Sequence, residues 1–421
     1  MAQIFHAKAV HARVDARFRA DQGAVTAAPV KTRSIRLSVE EDFGVVERDW
    51  RAFEAGAELT VFQTFDWLST WQRHIGRLTG VCPAIVVARD ASGILFILPL
   101  ATHDRTFYRE LTWLGSELCD YNAPLLASDF AQRCEGVDFV DLWAQIASHL
   151  QGDARHRFDA VRFTNMPAMV GGQANPMLAL GVVPHPSGAY ATRLGDDWDS
   201  FYAAKRSSTT RRRDRTKRKR LGEFGEVRMV NPERVHDILA ALDVLMQQKT
   251  RQFARMGVAD LFAKPGYADF YRALARDPLT RPLVHVSCLN VGPTPAAVNL
   301  GLTWRGCYYH LLASYDDGER ARFGPGAAHL HDLLKLAIER GLKVFDFTVG
   351  DEPYKRDWSD SEIALYDHVA AARWRGALIV LPLILSLRLK RWIKQTPAAW
   401  RMFTAVRARL GALTGGRDGR A

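Results

Sequence analysis

The sequence is poor in cysteine. Its five residues, Cys82, Cys119, Cys134, Cys288 and Cys307, are odd in number, scattered, and form no CxxC pair. A disulfide framework or a zinc site is therefore not expected, and a reducing, cytoplasmic setting is. Long apolar runs are missing too. Residues 1–34 are rich in Ala, Val and Arg but hold no stretch that could form the core of a signal peptide, and they read as a poorly ordered leader. Near the other end Ala377–Leu387 is apolar, but Pro382 and Ser386 interrupt it. A spanning helix needs ~20 apolar residues, so none is expected. Nothing resembles a Ser–His–Asp nucleophile elbow, a Walker loop or a metal-ligand cluster, and no metal is expected.

What is present is an ordinary globular composition, 48% hydrophobic and 24% charged, enough for two or three domains of about 100–200 residues each. The net charge of +11 is concentrated in one place. Residues 205–220, KRSSTTRRRDRTKRKR, carry ten Lys/Arg against one Asp, which leaves the rest of the chain close to neutral. Three readings of this run stay open: a solvated helical arm, a site for a polyanion (coenzyme A phosphates, an anionic glycan carrier or RNA), and a contact with an anionic membrane surface. No aromatic residue falls between Lys205 and Arg220, which disfavours a stacking platform for single-stranded nucleic acid.

Along the chain, Trp67, Trp71 and Ile75 recur at helical spacing and read as a core face. Ala84–Arg89 and Ile94–Leu100 flank the turn signal Asp90-Ala91-Ser92-Gly93, a hairpin. Strands at Leu111–Leu114 and Phe158–Phe163, with a helix over Phe139–Leu150, complete a mixed unit. A segment rich in Pro and Gly, Met166–Gly188, places a boundary near 185–195. Beyond it come the basic run on a helix over 199–224, helices at Pro232–Phe253 and Tyr267–Ala275, and strands at Leu283–Leu289, Ala296–Trp304 and Cys307–Ser314. A last strand, Ile363–Ala371, closes the second half. In the tail, Arg388, Lys390, Arg391 and Lys394 follow the apolar stretch, so 377–394 reads as a basic amphipathic helix that lies on a membrane or docks on the core.

The block from Tyr308 to Trp358 organises the rest. A strand ends at the turn Asp316-Asp317-Gly318, and Leu330, Leu333, Leu334, Ala337 and Ile338 then mark one face of a helix stopped by Gly341. Lys343–Val349 alternates as a strand. Between first strand and helix lies Arg320-Ala321-Arg322-Phe323-Gly324-Pro325-Gly326. A helix N-terminus offers unpaired N–H groups and partial positive charge, so Arg320, Arg322, Gly324, Pro325, Gly326 and Ala327 are candidates to receive a phosphate.

This block resembles the core of the GNAT acyltransferases. More narrowly, SYDDGERARFGPG, the helix after it, and FDFTVGDEPYKRDW resemble the CelD/BcsL group of polysaccharide-biosynthesis acetyltransferases, relatives of FemAB-like enzymes. The resemblance touches the first half through Phe62–Trp67, Leu114-Gly115 and Asp120-Tyr121. It implies an α/β (α+β type) fold of two tandem GNAT-like mixed-sheet domains: 35–190, expected to be degenerate, and 191–372, which carries the basic helix, with a helical tail over 373–421. It implies an acetyl-CoA-dependent N- or O-acyltransferase of cell-envelope glycan biosynthesis with a small-molecule or glycan acceptor; the expected location is the cytoplasm or the inner face of the membrane. Two alternatives remain open, an aminoacyl transferase using charged tRNA and a non-catalytic membrane-associated assembly factor. Acyl transfer needs a base and an acid. Asp346, His310 and Asp351 are the base candidates, and Tyr354 is the acid for the leaving thiolate. Lys355, Arg356, Trp358, Tyr315 and Asp120 are candidates to hold the acceptor or an anionic group.

Overall fold

The computed structural model describes residues 35–396. The leader expected over 1–34 and the end of the tail, 397–421, lie outside the described residues. The first sheet comprises β1 (Arg36–Glu40), β2 (Val81–Asp90), β3 (Gly93–Asp104), β4 (Arg109–Trp113), β5 (Leu125–Leu126) and β6 (Ala160–Pro167). A small ribbon follows, β7 (Met169–Val170) with β8 (Gln173–Ala174), and then β9 (Val183–Pro184). The second sheet is built from β10 (Ala189–Arg193), β11 (Val227–Val230), β12 (Val284–Val291), β13 (Thr294–Trp304), β14 (Cys307–Tyr315), β15 (Val344–Val349) and β16 (Ser361–Ile363). β17 (Leu365–Ala371) returns to the first.

The expected hairpin forms with Asp90 opposite Gly93. In each sheet a single strand pair is parallel, β4 with β6 and β14 with β15, and each pair is bridged by a helix. Those helices are α3 (Phe139–Gly152), which buries Leu142, Ile146 and Leu150, and α8 (Pro325–Glu339), which buries the predicted stripe Leu330, Leu333, Leu334, Ala337 and Ile338. A helix is what a parallel connection requires, because the chain must travel back along the sheet. Apart from the single turn Phe130–Arg133, the other α-helices of the described residues are α1 (Phe43–Glu54), α2 (Phe65–Trp71), α4 (Trp198–Lys205), α5 (Ser208–Gly222), α6 (Val235–Met256), α7 (Tyr267–Arg276), α9 (Pro353–Trp358) and α10 (Trp374–Gln395).

Three sequence expectations are corrected. The basic helix over 199–224 is two helices, broken at Arg206-Ser207, because the Ser207 hydroxyl accepts from Thr210 N–H (3.2 Å) and starts a new helix. The polar loop after Val349 contains the short helix α9, with Pro353 in its first turn. The closing strand is two strands in two sheets: β16 stays in the second, while β17 pairs with β6 and β9 in the first. β10, from the end of the first half, inserts between β15 and β16. Each sheet therefore borrows a strand from the other half of the chain.

The two sheets share a core. Trp67 and Trp71 on α2 are buried as expected, and Trp67 meets Phe270 of α7 edge to face at 5.0 Å. In the β13–β14 turn the Arg305 guanidinium donates to the carbonyls of Ala57 (2.8 Å), Glu54 and Ala55, capping the end of α1.

Candidate active site

β14 and β15 pair over Cys307–Tyr309 and Val344–Asp346, and then part. A bulge on each strand falls at the parting. On β14, pairing with β13 jumps from Leu302–Tyr309 to Leu300–Leu312, so His310 and Leu311 together face Gly301. On β15, pairing with β10 jumps from Asp346–Ala191 to Thr348–Tyr190. Bulges bend a strand and re-aim its side chains. Thr348 pays for the bend with φ +61°, a strain on the order of 1–3 kcal/mol for a branched residue. Its N–H donates to Asp346 Oδ1 (2.7 Å), which fixes the turn.

Asp346 lies at the mouth of this split with 5% of its surface exposed. Its two oxygens also accept from the Tyr121 hydroxyl at 2.8 and 2.9 Å. Burial, which disfavours the charged form, raises its pKa to about 7, against the pull of those hydrogen bonds. Tyr121 comes from the first half, where its carbonyl accepts from Gln63 (2.7 Å) and neighbouring Asn122 donates to the Thr164 carbonyl (3.0 Å). Asp120 is half-buried beside Thr348, with which it shares a side-chain hydrogen bond, and burial raises its pKa to about 6. The Asp120 carboxylate in turn helps to raise Asp346.

Lys355 is the nearby counter-charge. It is buried, donates to the carbonyls of Val349 (2.7 Å) and Thr348 (3.4 Å), and pairs with Glu352 at 3.2 Å. It holds the strained strand end rather than reaching into solvent. His310 sits on the β14 bulge with Nε2 3.1 Å from the Asn299 amide, and burial lowers its pKa to about 3, so it is neutral. The Tyr354 ring lies 6.5 Å from His310, its hydroxyl has no hydrogen-bond partner among the described residues, and burial pushes its pKa up. Asp351 is half-buried in the loop before α9, where its charge is felt by Arg356. Arg356 donates to the Tyr190 hydroxyl (3.1 Å).

At the phosphate loop, Gly324 takes φ +67° and no side chain caps α8, so the N–H groups of Gly326 and Ala327 are left to an outside acceptor. Gly326 itself is helical, and a Cβ there would stand 3.3 Å from the Tyr315 ring. Of the two loop arginines, Arg320 is held by Asp316 (2.9 Å) and Thr294 (2.8 Å), while Arg322 is exposed and reaches Glu319 at 3.4 Å.

Beside that helix end is a cavity of about 300 Å³ that sequence reasoning missed. Its aromatic wall is Trp198 stacked on Tyr202 (5.0 Å), His331 against both, and Trp358, over which Arg206 lies. Its other wall is α5, with Arg211, Arg215 and Lys217, and Ala327 and Ala328 also line it. Arg211 Nε is buried with no hydrogen-bond partner among the described residues. Trp198 and Tyr202 sit four apart on α4, a spacing visible in the sequence, but nothing local says that α5 folds back over α8. Trp358 is at once a core residue and part of this wall.

The sequence offers no metal spacing. The fold nevertheless brings Glu41, Cys82 and His156 of the first half within 4.8 Å of one another, away from the split, with Glu41 already paired to Arg155 (3.0 Å).

A sheet opened between two parallel strands, an uncapped helix N-terminus behind it and a buried carboxylate at the split are brought together here, in a chain of two sheets. Residues 208–356 match the family model described as an acetyltransferase (GNAT) domain. The match contains both bulged strands, α8, Asp346 and Tyr354, so the chain carries a GNAT acetyltransferase domain. No curated protein matches the chain. Among solved structures, the crystal structure of FemX aligns with TM-score 0.53 and 11% identity over 79% of this chain and 97% of that one, a likeness of fold alone. L-PGS from Bacillus licheniformis aligns with TM-score 0.46 and 13% identity, over 83% of this chain and 97% of that one. A tandem GNAT protein from the clavulanic acid biosynthesis pathway aligns with TM-score 0.44 and 12% identity, over 80% and 98%.

Proposed function

We propose that the protein transfers an acetyl group from acetyl-CoA to an amine or hydroxyl of a sugar in cell-envelope glycan biosynthesis. The observation that carries the acyl-transfer chemistry is the Asp346 carboxylate at the strand split, with a proton affinity matched to neutral pH. The acceptor nitrogen or oxygen attacks the thioester carbonyl and its proton passes to Asp346. The C–S bond breaks, and the Tyr354 phenol, protonated at neutral pH, gives its proton to the leaving thiolate. The donor's pyrophosphate suits the N–H groups of Gly326 and Ala327, and its nucleotide end suits the aromatic and basic cavity beside them. Lys355 and Thr348 hold the strand end at the split, and Asp120, bonded to Thr348, is the candidate there to contact the acceptor. His310, with so low a pKa, serves as a hydrogen-bond partner rather than the base. The glycan acceptor rests on the resemblance of the 308–358 block.

A second reading, aminoacyl transfer from charged tRNA, is favoured by one observation: Arg212, Arg213, Lys219 and Arg220 on α5 are exposed, facing away from the cavity. Calorimetric titration with acetyl-CoA separates the two. Binding is expected, and no heat at millimolar ligand would remove the acetyl-CoA reading.

A further inference from the structure

The last helix of the described residues leaves an apolar stripe uncovered. α10 is tied at its start to the first sheet: Ala372 and Arg373 N–H donate to the Asp159 carbonyl (2.8 and 3.1 Å), and a Cβ on Gly376 would collide with that oxygen. From there the helix presents Trp374, Leu378, Leu385, Leu389 and Trp392, exposed by 73, 68, 55, 56 and 59%. At about 100° per residue their spacings of four, seven, four and three confine all five to an arc of roughly 60°, running about 27 Å along the helix. Scattered exposed leucines mean little, but a continuous stripe of large apolar side chains with a tryptophan at each end marks a surface that something covers.

Charge decides the occupant. α10 contains Arg375, Arg388, Lys390, Arg391 and Lys394 and no acidic residue. A second copy seated on the stripe would bring two such cationic helices together. The chain's own residues 397–421 add Arg401, Arg407, Arg409, Arg417 and Arg420 against the single Asp418, so they too repel it. No helix of the described residues is long and apolar enough to cross a membrane. We infer that α10 is an interfacial helix that seats this stripe in an anionic lipid surface, with its apolar face at the acyl boundary and its basic residues among the headgroups. Tryptophan at both ends suits that depth, since its ring is apolar and its N–H needs a polar partner.

Flotation of the full chain with vesicles of phosphatidylcholine, alone and mixed with phosphatidylglycerol, tests this. Wild type is expected to float with the mixed vesicles, less with the neutral ones, and less again as salt rises. Leu385→Asp with Leu389→Asp alters only exposed positions, so its circular dichroism and melting should match wild type while its partition falls by about tenfold or more. The inference is overturned if wild type stays with the aqueous fraction, if the double variant floats equally well, or if sedimentation shows a dimer that the same substitutions dissolve. None of these readouts depends on acetyl transfer.

Discussion

In the proposed reaction Asp346 is the base, and its setting predicts a pH dependence. A carboxyl whose pKa burial has raised to about 7 is protonated below that value and cannot accept the acceptor's proton, so acetyl transfer should rise through pH 7 to a plateau. Asp346→Asn should lower kcat by about 10²–10⁴-fold with the acetyl-CoA Kd little changed, measured by thiol release and calorimetry. The same substitution reads out in stability. The unfolded chain loses this proton near the ordinary carboxyl pKa and the folded chain only near 7, so wild type becomes less stable as pH rises between those values. The asparagine variant lacks that cost, and its melting temperature relative to wild type should climb from pH 4 to pH 7 and stay level above. Tyr121 acts through Asp346: its hydroxyl holds the carboxylate form, so Tyr121→Phe should move the midpoint of the pH–rate profile upward. A merely structural tyrosine would change the amplitude and leave the midpoint in place.

At the scale of elements, the proposed function has α8 and α5 divide the work of holding the donor. Gly326→Val places a branched side chain against Tyr315 and over the N–H groups of the helix start. Loss of two charge-assisted bonds should weaken acetyl-CoA by about 3 kcal/mol, on the order of a hundredfold in Kd. Combining Arg211→Gln, Arg215→Gln and Lys217→Gln empties the basic wall of the cavity and should weaken it about tenfold or more. Arg212→Ala, on the outer face of α5, should leave the affinity unchanged, and an equal loss there would mean that the helix acts only through its overall charge. These elements were unevenly legible in the sequence. The α8 stripe, the hairpin at Asp90–Gly93 and the strand that carries Asp346 announce themselves because their signals are local, a period or a turn. The break in the basic helix has a local signal too, Ser207-Ser208-Thr209-Thr210, residues that start a helix more readily than they continue one. The Tyr121–Asp346 bond joins residues 225 apart, and no pattern within either segment encodes it. The sequence offers Asp120 as the candidate in this segment, and only the fold shows that its neighbour Tyr121 is the one whose side chain touches Asp346.

For the molecule as a whole, the borrowed strands and the shared core make two sheets behave as one body. Buried residues from Trp67 and Tyr121 to Phe270 and Tyr309 belong to a single apolar cluster, and Arg305 ties the β13–β14 turn to α1. Calorimetry of the full chain should therefore show one cooperative unfolding transition, and two resolved transitions would contradict this account. Cutting after residue 195 should leave fragments that do not fold separately, since β6 loses β17 and β15 loses β10. The exchange also orders events in time. During synthesis β6 leaves the ribosome early, while its neighbour β17 is among the last strands to be made. The first sheet must wait with an edge unpaired until the acyltransferase half has passed, so the half made first is the half finished last.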